Sequence, residues 1–169
     1  MILIHQGHML TTTSPEAFTL QAKSWIGEKQ NGKIVYMPVE AMFLIETKKA
    51  VLVKTKEIPF ERALQQIQRY DKNTSITYPV YYDLKKKGHI VKAALKFGGD
   101  FRVYQKGTTP ETAHAHWIVH ATASTTKIEW GSIVAKLRVS HTTKKAILLA
   151  IVDKDLSVSY YEMNWQKIV

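Results

Sequence analysis

The sequence predicts an α+β protein, with a small N-terminal α/β domain followed by a C-terminal mixed-sheet domain with flanking helices. Three observations lead to this fold class. Short strand-like segments alternate with helix-like segments along the chain. A polar segment at residues 71–75 interrupts that pattern near the middle. The last third contains an uninterrupted aliphatic run at residues 146–152, which is typical of a central buried strand.

The first domain is predicted to contain four strands and two helices. The strands are expected at residues 1–5, 18–23, 33–37 and 50–54, with a turn at Asn31-Gly32. A proline in the first turn, followed by good helix formers, predicts a helix over residues 38–45. A second helix is predicted over residues 59–70, because Phe60, Leu64 and Ile67 recur on one stripe.

The polar segment is a natural domain boundary, which gives domains 1–75 and 76–169. A helix predicted over residues 79–87 ends at Gly88, a residue suited to a helix C-cap. Strands are then expected at residues 90–95, 101–105, 117–121, 146–152 and 158–163. A second helix is predicted over residues 128–139, so the C-terminal domain should be a mixed sheet with two helices.

The composition describes a basic chain without cysteine. It has 169 residues, 45% of them apolar, which suffices for one domain or two small ones. The lack of cysteine removes disulfides and thiolate metal sites and suits a reducing compartment. The longest aliphatic run is too short to span a bilayer, and the amino terminus does not resemble a secretion signal. We therefore expect a cytoplasmic protein that does not associate with membranes.

The net charge of +10 arises from 24 lysines and arginines against 14 acidic residues. The basic residues cluster at 85–106 and 138–145, and aromatic residues are interleaved with the first cluster. Basic side chains bind phosphates and aromatic rings stack on unpaired bases, so RNA is the favoured ligand. The expected RNA contacts are Lys96, Arg102, Arg138 and Lys144. Charge alone also fits a solvated basic surface without any role in nucleic-acid binding.

Three side chains of the chain offer the groups that cleave RNA without a metal. These are the phenol of Tyr104, the imidazole of His114 and the ammonium group of Lys145. One of the first two can take a proton from a 2′-hydroxyl, the other can protonate the leaving 5′-oxygen, and lysine can stabilise charge on phosphorus. Taken singly, Tyr104 and His114 are more typical of solvated residues at a loop, and Lys145 of a solvated charge pair at the start of a strand. The residues alone also do not distinguish Lys145 from Lys144.

A row of histidines suggests a different chemistry. His114, His116 and His120 lie at even spacing, so an extended chain would place all three on one face. Such a row is compatible with a zinc site. The chain has no cysteine, however, and no His-x-x-x-His pair on a helix accompanies the row. We therefore predict no metal site.

Three motifs carry a resemblance to a known family. They are K-F-G-G-D-F-R-V-Y at residues 96–104, H-A-H-W-I-V at 114–119 and R-V-S-H-T-T-K-K-A-I-L-L-A-I-V-D at 138–153. In these motifs, their order and their separation, residues 81–161 resemble the catalytic domain of the archaeal tRNA-splicing endonucleases. Residues 40–45 also resemble a helix of that family's N-terminal domain, whose role is structural.

The resemblance implies a role for each matching residue. Tyr104 would be the general base toward the 2′-hydroxyl, and His114 the general acid. Lys145, directly ahead of the strand at 146–152, would stabilise the pentacovalent phosphorus. Arg138 matches an arginine that stacks on a flipped-out intron base. A second cation usually completes that base sandwich late in the domain, and Tyr160 stands there in this chain.

The resemblance therefore implies an endoribonuclease that excises introns from precursor tRNA at bulge–helix–bulge junctions. Cleavage would use internal attack by the 2′-hydroxyl, need no metal or other cofactor, and leave 2′,3′-cyclic phosphate and 5′-hydroxyl ends. Two alternatives stay open. One is a non-catalytic RNA-binding or scaffold subunit of such a complex. The other is a metal-dependent hydrolase that uses His114, His116 and His120.

The resemblance also implies a tetramer, built from four identical chains or from two catalytic and two structural chains. In the homotetramers an acidic loop between the last strands, often containing glycine, enters a basic pocket of a neighbour. Here that loop reads D-K-D-L-S at residues 153–157, with a lysine and no glycine. We therefore expect a structural partner subunit in an α2β2 heterotetramer, with a homotetramer as the alternative.

Overall fold

The computed structural model of the chain describes residues 2–6, 9–53 and 57–166. Two compact units divide between Tyr81 and Tyr82. Both contain helices and a mixed sheet, which confirms the predicted α+β class. Among the described residues, no helix is long and apolar enough to cross a bilayer.

The first unit is built on a six-stranded sheet. In chain order its elements are β1 (Ile2–Gln6), β2 (Met9–Thr12), α1 (Pro15–Ser24), β3 (Glu28–Gln30), β4 (Lys33–Tyr36), α2 (Pro38–Glu46), β5 (Val51–Val53), β6 (Glu57–Ile58) and α3 (Phe60–Tyr70). The strand order is β3-β4-β2-β1-β5-β6. β1 and β5 pair in parallel, and the other neighbours are antiparallel.

One predicted strand of this unit is wrong. Residues 18–23 belong to α1, although Phe18, Leu20 and Ala22 alternate with polar residues as a strand would. Pro15 occupies the first position of α1, where the missing backbone N–H would have no partner within the helix. Trp25 ends it in a left-handed conformation, and its N–H donates to the Gln21 carbonyl. Local helix chemistry therefore overrides the alternating pattern.

The other predicted elements of the first unit are confirmed with small shifts of their ends. They correspond to β1, β4, α2, β5 and α3, whereas β2, β3 and β6 were not expected. Residue 1 of the first predicted strand and residue 54 of the fourth lie outside the described residues. So do the side chains of Phe60 and Leu64, while Ile67 on the same predicted stripe is buried.

Helix α2 forms the core of the first unit, and it buries one carboxylate. Residues 39–45 are all buried, and Glu40 is only 1% exposed. Its carboxylate accepts hydrogen bonds from the backbone N–H groups of Gly27 at 3.0 Å and Met37 at 2.9 Å. The second bond caps the start of α2, and the first ties the helix to the turn before β3. Glu40 is therefore a structural acceptor for two backbone donors.

We expect Glu40→Ala to lower the free energy of unfolding by about 2–4 kcal/mol, because it orphans buried N–H donors. The measurement is the midpoint of urea unfolding. Glu28→Ala, which removes an exposed carboxylate from β3, is the matched control and should change the midpoint little. Equal midpoints for the two variants would contradict this role of Glu40.

The second unit holds a five-stranded sheet. Its strands are β7 (Val91–Ala93), β8 (Phe101–Val103), β9 (Trp117–Ala123), β10 (Ala146–Val152) and β11 (Val158–Met163). Their order is β11-β10-β9-β8-β7, with β9 and β10 parallel and all other neighbours antiparallel. Helix α5 (Trp130–Thr142) makes the crossover between β9 and β10. All five strands were predicted, and the bounds of β10 and β11 match the sequence pattern to the residue.

Helix α4 (Thr74–Lys86) contains the division between the two units. It begins inside the polar segment, where the Asp71 side chain accepts the N–H of Asn73 and the Asp71 carbonyl accepts that of Thr74. Gly88 ends it as predicted, with φ of +87° and the His89 N–H bonded to the Leu84 carbonyl. The domains 1–75 and 76–169 remain our proposal.

Gly99 of the first motif lets the segment between β7 and β8 pack closely against β9. A Cβ on Gly99 would lie 2.4 Å from Cγ2 of Ile118 and 3.1 Å from the Val119 carbonyl oxygen. The next residue, Asp100, donates its N–H to that same carbonyl and accepts the N–H of Ala121 with its carboxylate. Gly99 therefore serves close backbone packing, while Gly98 supplies the positive φ of +68°.

Candidate active site

The sheet register brings the ends of three strands to one edge of the second unit. Val103 at the end of β8 lies opposite Trp117 at the start of β9, and Trp117 lies opposite Ala146 at the start of β10. Between them, the His116 N–H donates to the Val103 carbonyl and the Ala146 N–H donates to the His116 carbonyl. Tyr104 directly follows β8 and Lys145 directly precedes β10, while Ala115 and His116 separate His114 from β9. The sheet thus places the three sequence-predicted residues near one end of its strands, which we call the catalytic edge because these residues are predicted to be catalytic.

Tyr104 is held by its backbone from both sides. Its N–H donates to the Ile90 carbonyl at 3.0 Å, and its own carbonyl accepts a hydrogen bond from Nδ1 of His89 at 2.9 Å. The residue is 4% exposed. The predicted strand at 101–105 ends at Val103, and Tyr104 is not the surface residue that its loop position suggested. It is instead a fixed residue with a defined backbone position.

His114 is exposed in the loop that precedes β9. The loop is shaped by a compact turn in which the Thr109 N–H donates to Oγ1 of Thr112, and the N–H groups of Thr112 and Ala113 donate to the Thr109 carbonyl. The neighbouring Ala115 is buried and anchors the loop against the sheet. The imidazole is therefore carried on an anchored loop and is open to solvent.

Lys145 is distinguished from Lys144 by the way α5 ends. Lys144 adopts a left-handed conformation with φ of +53°, and the Lys145 N–H then bonds to the Ser140 carbonyl. Lys144 is exposed, whereas Lys145, directly before β10, is half-buried. The ammonium group of Lys145 donates to the Thr143 carbonyl at 2.9 Å and lies 5.1 Å from the centre of the Phe97 ring. These two contacts hold the ammonium group of Lys145 in place.

The four residues predicted to contact RNA have different settings. Arg138 is exposed on α5, and Lys96 is exposed in the 3₁₀ turn Leu95–Phe97. Lys144 is exposed beside Lys145. Arg102 is half-buried in β8, and its Nε is buried with no hydrogen-bond partner among the described residues. The side chains of Arg138, Lys96 and Lys144 are therefore exposed where a ligand can contact them.

The histidine row does not form a metal site in the part of the chain that the structure describes. His114 lies in the loop and not in β9. His116 is exposed, with its ring 4.4 Å from that of Trp117, whereas His120 is buried within β9. No group of three His, Asp or Glu side chains among the described residues has a metal-binding arrangement. The even spacing does not place the three histidines on one face, because only His120 lies in a strand.

Tyr160 has structural partners in the second unit. Its hydroxyl donates to the Asp83 carboxylate at 2.7 Å, and the ammonium of Lys87 lies 4.8 Å from its ring centre. Lys87 also pairs with Asp83 at 2.7 Å. Burial, together with the bond to Asp83, raises the pKa of Tyr160 well above its ordinary value. A neutral phenol so engaged is not a second cation for a base sandwich.

Sequence reasoning missed a polar and aromatic group beside the catalytic edge. Nε1 of Trp117 donates to Glu162 at 2.8 Å, and Asn164 donates to the other carboxylate oxygen at 3.0 Å. The hydrogen bond from Trp117, with a smaller effect from Asn164, lowers the pKa of Glu162. The rings of His89 and Trp117 also meet edge to face at 5.8 Å. Only Trp117 carried a sequence signal, through its place in the second motif.

Comparison with known proteins matches this unit to a family. Residues 75–160 match the catalytic C-terminal domain of the tRNA intron endonucleases. The tRNA-splicing endonuclease of Thermococcus onnurineus is 37% identical over 88% of this chain and 85% of its own length. That of Thermococcus kodakarensis is 32% identical over 99% of both chains, and that of Methanococcus vannielii is 34% identical over 84% and 81%. The chain therefore belongs to the tRNA-splicing endonuclease family.

Proposed function

We propose that the chain is a tRNA-intron lyase, an endoribonuclease that excises introns from precursor tRNA. The observation that carries this function is the catalytic edge, where three strand ends gather Tyr104, His114 and Lys145 within the unit that matches the family's catalytic domain. The relatives that span most of the chain are named tRNA-splicing endonucleases. We further propose the bulge–helix–bulge junction as the substrate and the cytoplasm as the location.

The proposed reaction is an internal transesterification. Tyr104 takes the proton of the 2′-hydroxyl, and the 2′-oxygen forms a bond to the adjacent phosphorus. The bond from phosphorus to the 5′-oxygen breaks, and His114 gives that oxygen a proton. Lys145 stabilises the extra negative charge on the phosphorane between these steps. The ends are then a 2′,3′-cyclic phosphate and a 5′-hydroxyl, and no metal takes part.

The settings of the three residues support their roles. The base needs a fixed position, and the backbone of Tyr104 is bonded on both sides. The acid must exchange protons with solvent between turnovers, and His114 is exposed. The cation needs only to be close to the phosphorane, and the turn at Lys144 holds Lys145 at the strand end.

RNA binding is assigned to the exposed cations around the catalytic edge. Arg138, Lys96 and Lys144 would neutralise phosphates, and Arg138 would also stack on an extruded base. Arg102 is half-buried and would contribute charge from within β8. A structural partner subunit in an α2β2 heterotetramer is proposed to complete the enzyme, because the loop at 153–157 carries a lysine and no glycine.

Incubation of the purified chain with a short bulged RNA in excess chelator tests this function. With the partner subunit present, we expect the same cleavage rate with and without chelator, and 2′,3′-cyclic phosphate and 5′-hydroxyl ends identified by end-group analysis. A partner subunit is added in a second arm, because the catalytic chain of a heterotetramer needs it. Binding without cleavage in both arms would identify a scaffold subunit, and cleavage only after addition of zinc or magnesium would identify a metal-dependent hydrolase.

A further inference from the structure

A polar cavity lies in the second unit, away from the catalytic edge. It has a volume of about 390 Å³ and is bounded by β9, β10 and the amino end of α5. Its polar lining includes His120, Thr122, Lys127, Glu129, Ser132 and Lys136. None of these residues has a role in the proposed cleavage reaction.

His120 is a buried polar side chain in the wall of this cavity. It is 7% exposed and lies opposite Leu149 of β10 in the sheet. No hydrogen bond joins its ring to any of the described residues. Burial, with a smaller effect from Lys136, lowers the pKa of His120 to about 4, so the imidazole is neutral near pH 7. The ring borders the cavity, so its nitrogens are available to an occupant.

The charges of the cavity favour an anionic occupant. Lys127 and Lys136 outnumber the one carboxylate, Glu129. Ser132 lies in the first turn of α5, where the helix dipole is positive and favours anions. Hydroxyl and imidazole N–H groups can bind oxyanion oxygens directly. Two cations, several neutral donors and a helix amino end form a suitable lining for phosphate.

We propose that this cavity is a phosphate-binding site, and that the phosphate it takes is a backbone phosphate of the RNA. The choice of RNA as its source rests on the proposed function. Helix α5 connects the cavity to the catalytic edge, since it starts beside Ser132 and ends just before Lys145. Its 13 residues span about 20 Å. The site therefore holds the RNA at a point remote from the scissile bond, which fixes the register of the bound strand.

Inorganic phosphate tests the oxyanion chemistry independently of cleavage. Phosphate is titrated into the full-length chain while the imidazole resonances of His120 are followed by NMR. We expect saturable shifts and a higher pKa for His120, because a bound anion stabilises the imidazolium. Lys136→Gln should abolish the saturable shift. Lys29→Gln, which removes an exposed lysine from β3 of the first unit, is the control and should preserve it.

Bulged RNA then identifies the source of the phosphate. Lys136→Gln should weaken RNA binding several-fold and reduce the salt dependence by about one released counterion, whereas Lys29→Gln should have a smaller effect. Ser132→Ala should also weaken RNA binding. This second variant tests the cavity independently if Lys136→Gln does not fold. If His120 responds to phosphate but Lys136→Gln binds RNA with unchanged affinity, the cavity binds free phosphate and not the RNA backbone. No response of His120 to phosphate would overturn the proposal, whereas a normal response in a chain that cleaves no RNA would reject the proposed function alone.

Discussion

Replacing Tyr104 by Phe should slow cleavage of a bulged precursor tRNA by roughly 10²–10⁴-fold, with little change in RNA affinity. The substitution keeps the ring that fills the buried position and removes only the hydroxyl that takes the proton. His114→Ala and Lys145→Ala should have effects of similar size, through loss of the acid and of the countercharge. The measurements are single-turnover rates and dissociation constants on the same RNA.

Two control variants make this test specific. Tyr161→Phe removes a phenol hydroxyl from a side chain that is 55% exposed in β11, and should leave the rate unchanged. Lys144→Ala removes the neighbouring ammonium and should affect the rate much less than Lys145→Ala. If Lys144→Ala were the more damaging change, the assignment of the countercharge would be wrong by one residue. Normal cleavage by Tyr104→Phe would remove this tyrosine as the base.

The fold was most predictable where a single physical signal dominates. The aliphatic run of β10 has the length and composition of a buried strand, and its bounds were predicted to the residue. The end of α4 at Gly88 followed from the glycine requirement of a helix C-cap. Residues 18–23 were mispredicted because alternation and helix capping compete there, and Pro15 and the turn at Trp25 decide in favour of the helix. Strands as short as β3 and β6 have too few residues for a recognisable pattern.

The sequence motifs name the residues of the candidate site, but they do not indicate the contacts that hold those residues in place. The motifs pointed to Tyr104 and Lys145, but nothing local shows why Lys145 differs from Lys144. That difference depends on the left-handed turn at Lys144, which forms only when α5 ends there. The bond from His89 to the carbonyl of Tyr104 spans 15 residues of sequence and depends on the pairing of β7 with β8. Such supports are products of tertiary structure, and one sequence carries no signal for them.

A single 2′-deoxy substitution beside the scissile phosphate should abolish cutting without abolishing binding. In the proposed mechanism the 2′-oxygen is the nucleophile, so Tyr104 has no proton to take and His114 has no leaving group to protonate when that hydroxyl is missing. Binding should persist, because phosphate contacts by residues such as Arg138 and Lys144 do not need that hydroxyl. The measurement compares the cleavage rate and dissociation constant of the deoxy RNA with those of the unmodified RNA. A deoxy substitution one nucleotide away is the matched control and should be cut normally. A metal-activated water would attack phosphorus without the 2′-hydroxyl, so normal cleavage of the deoxy substrate would end this mechanism.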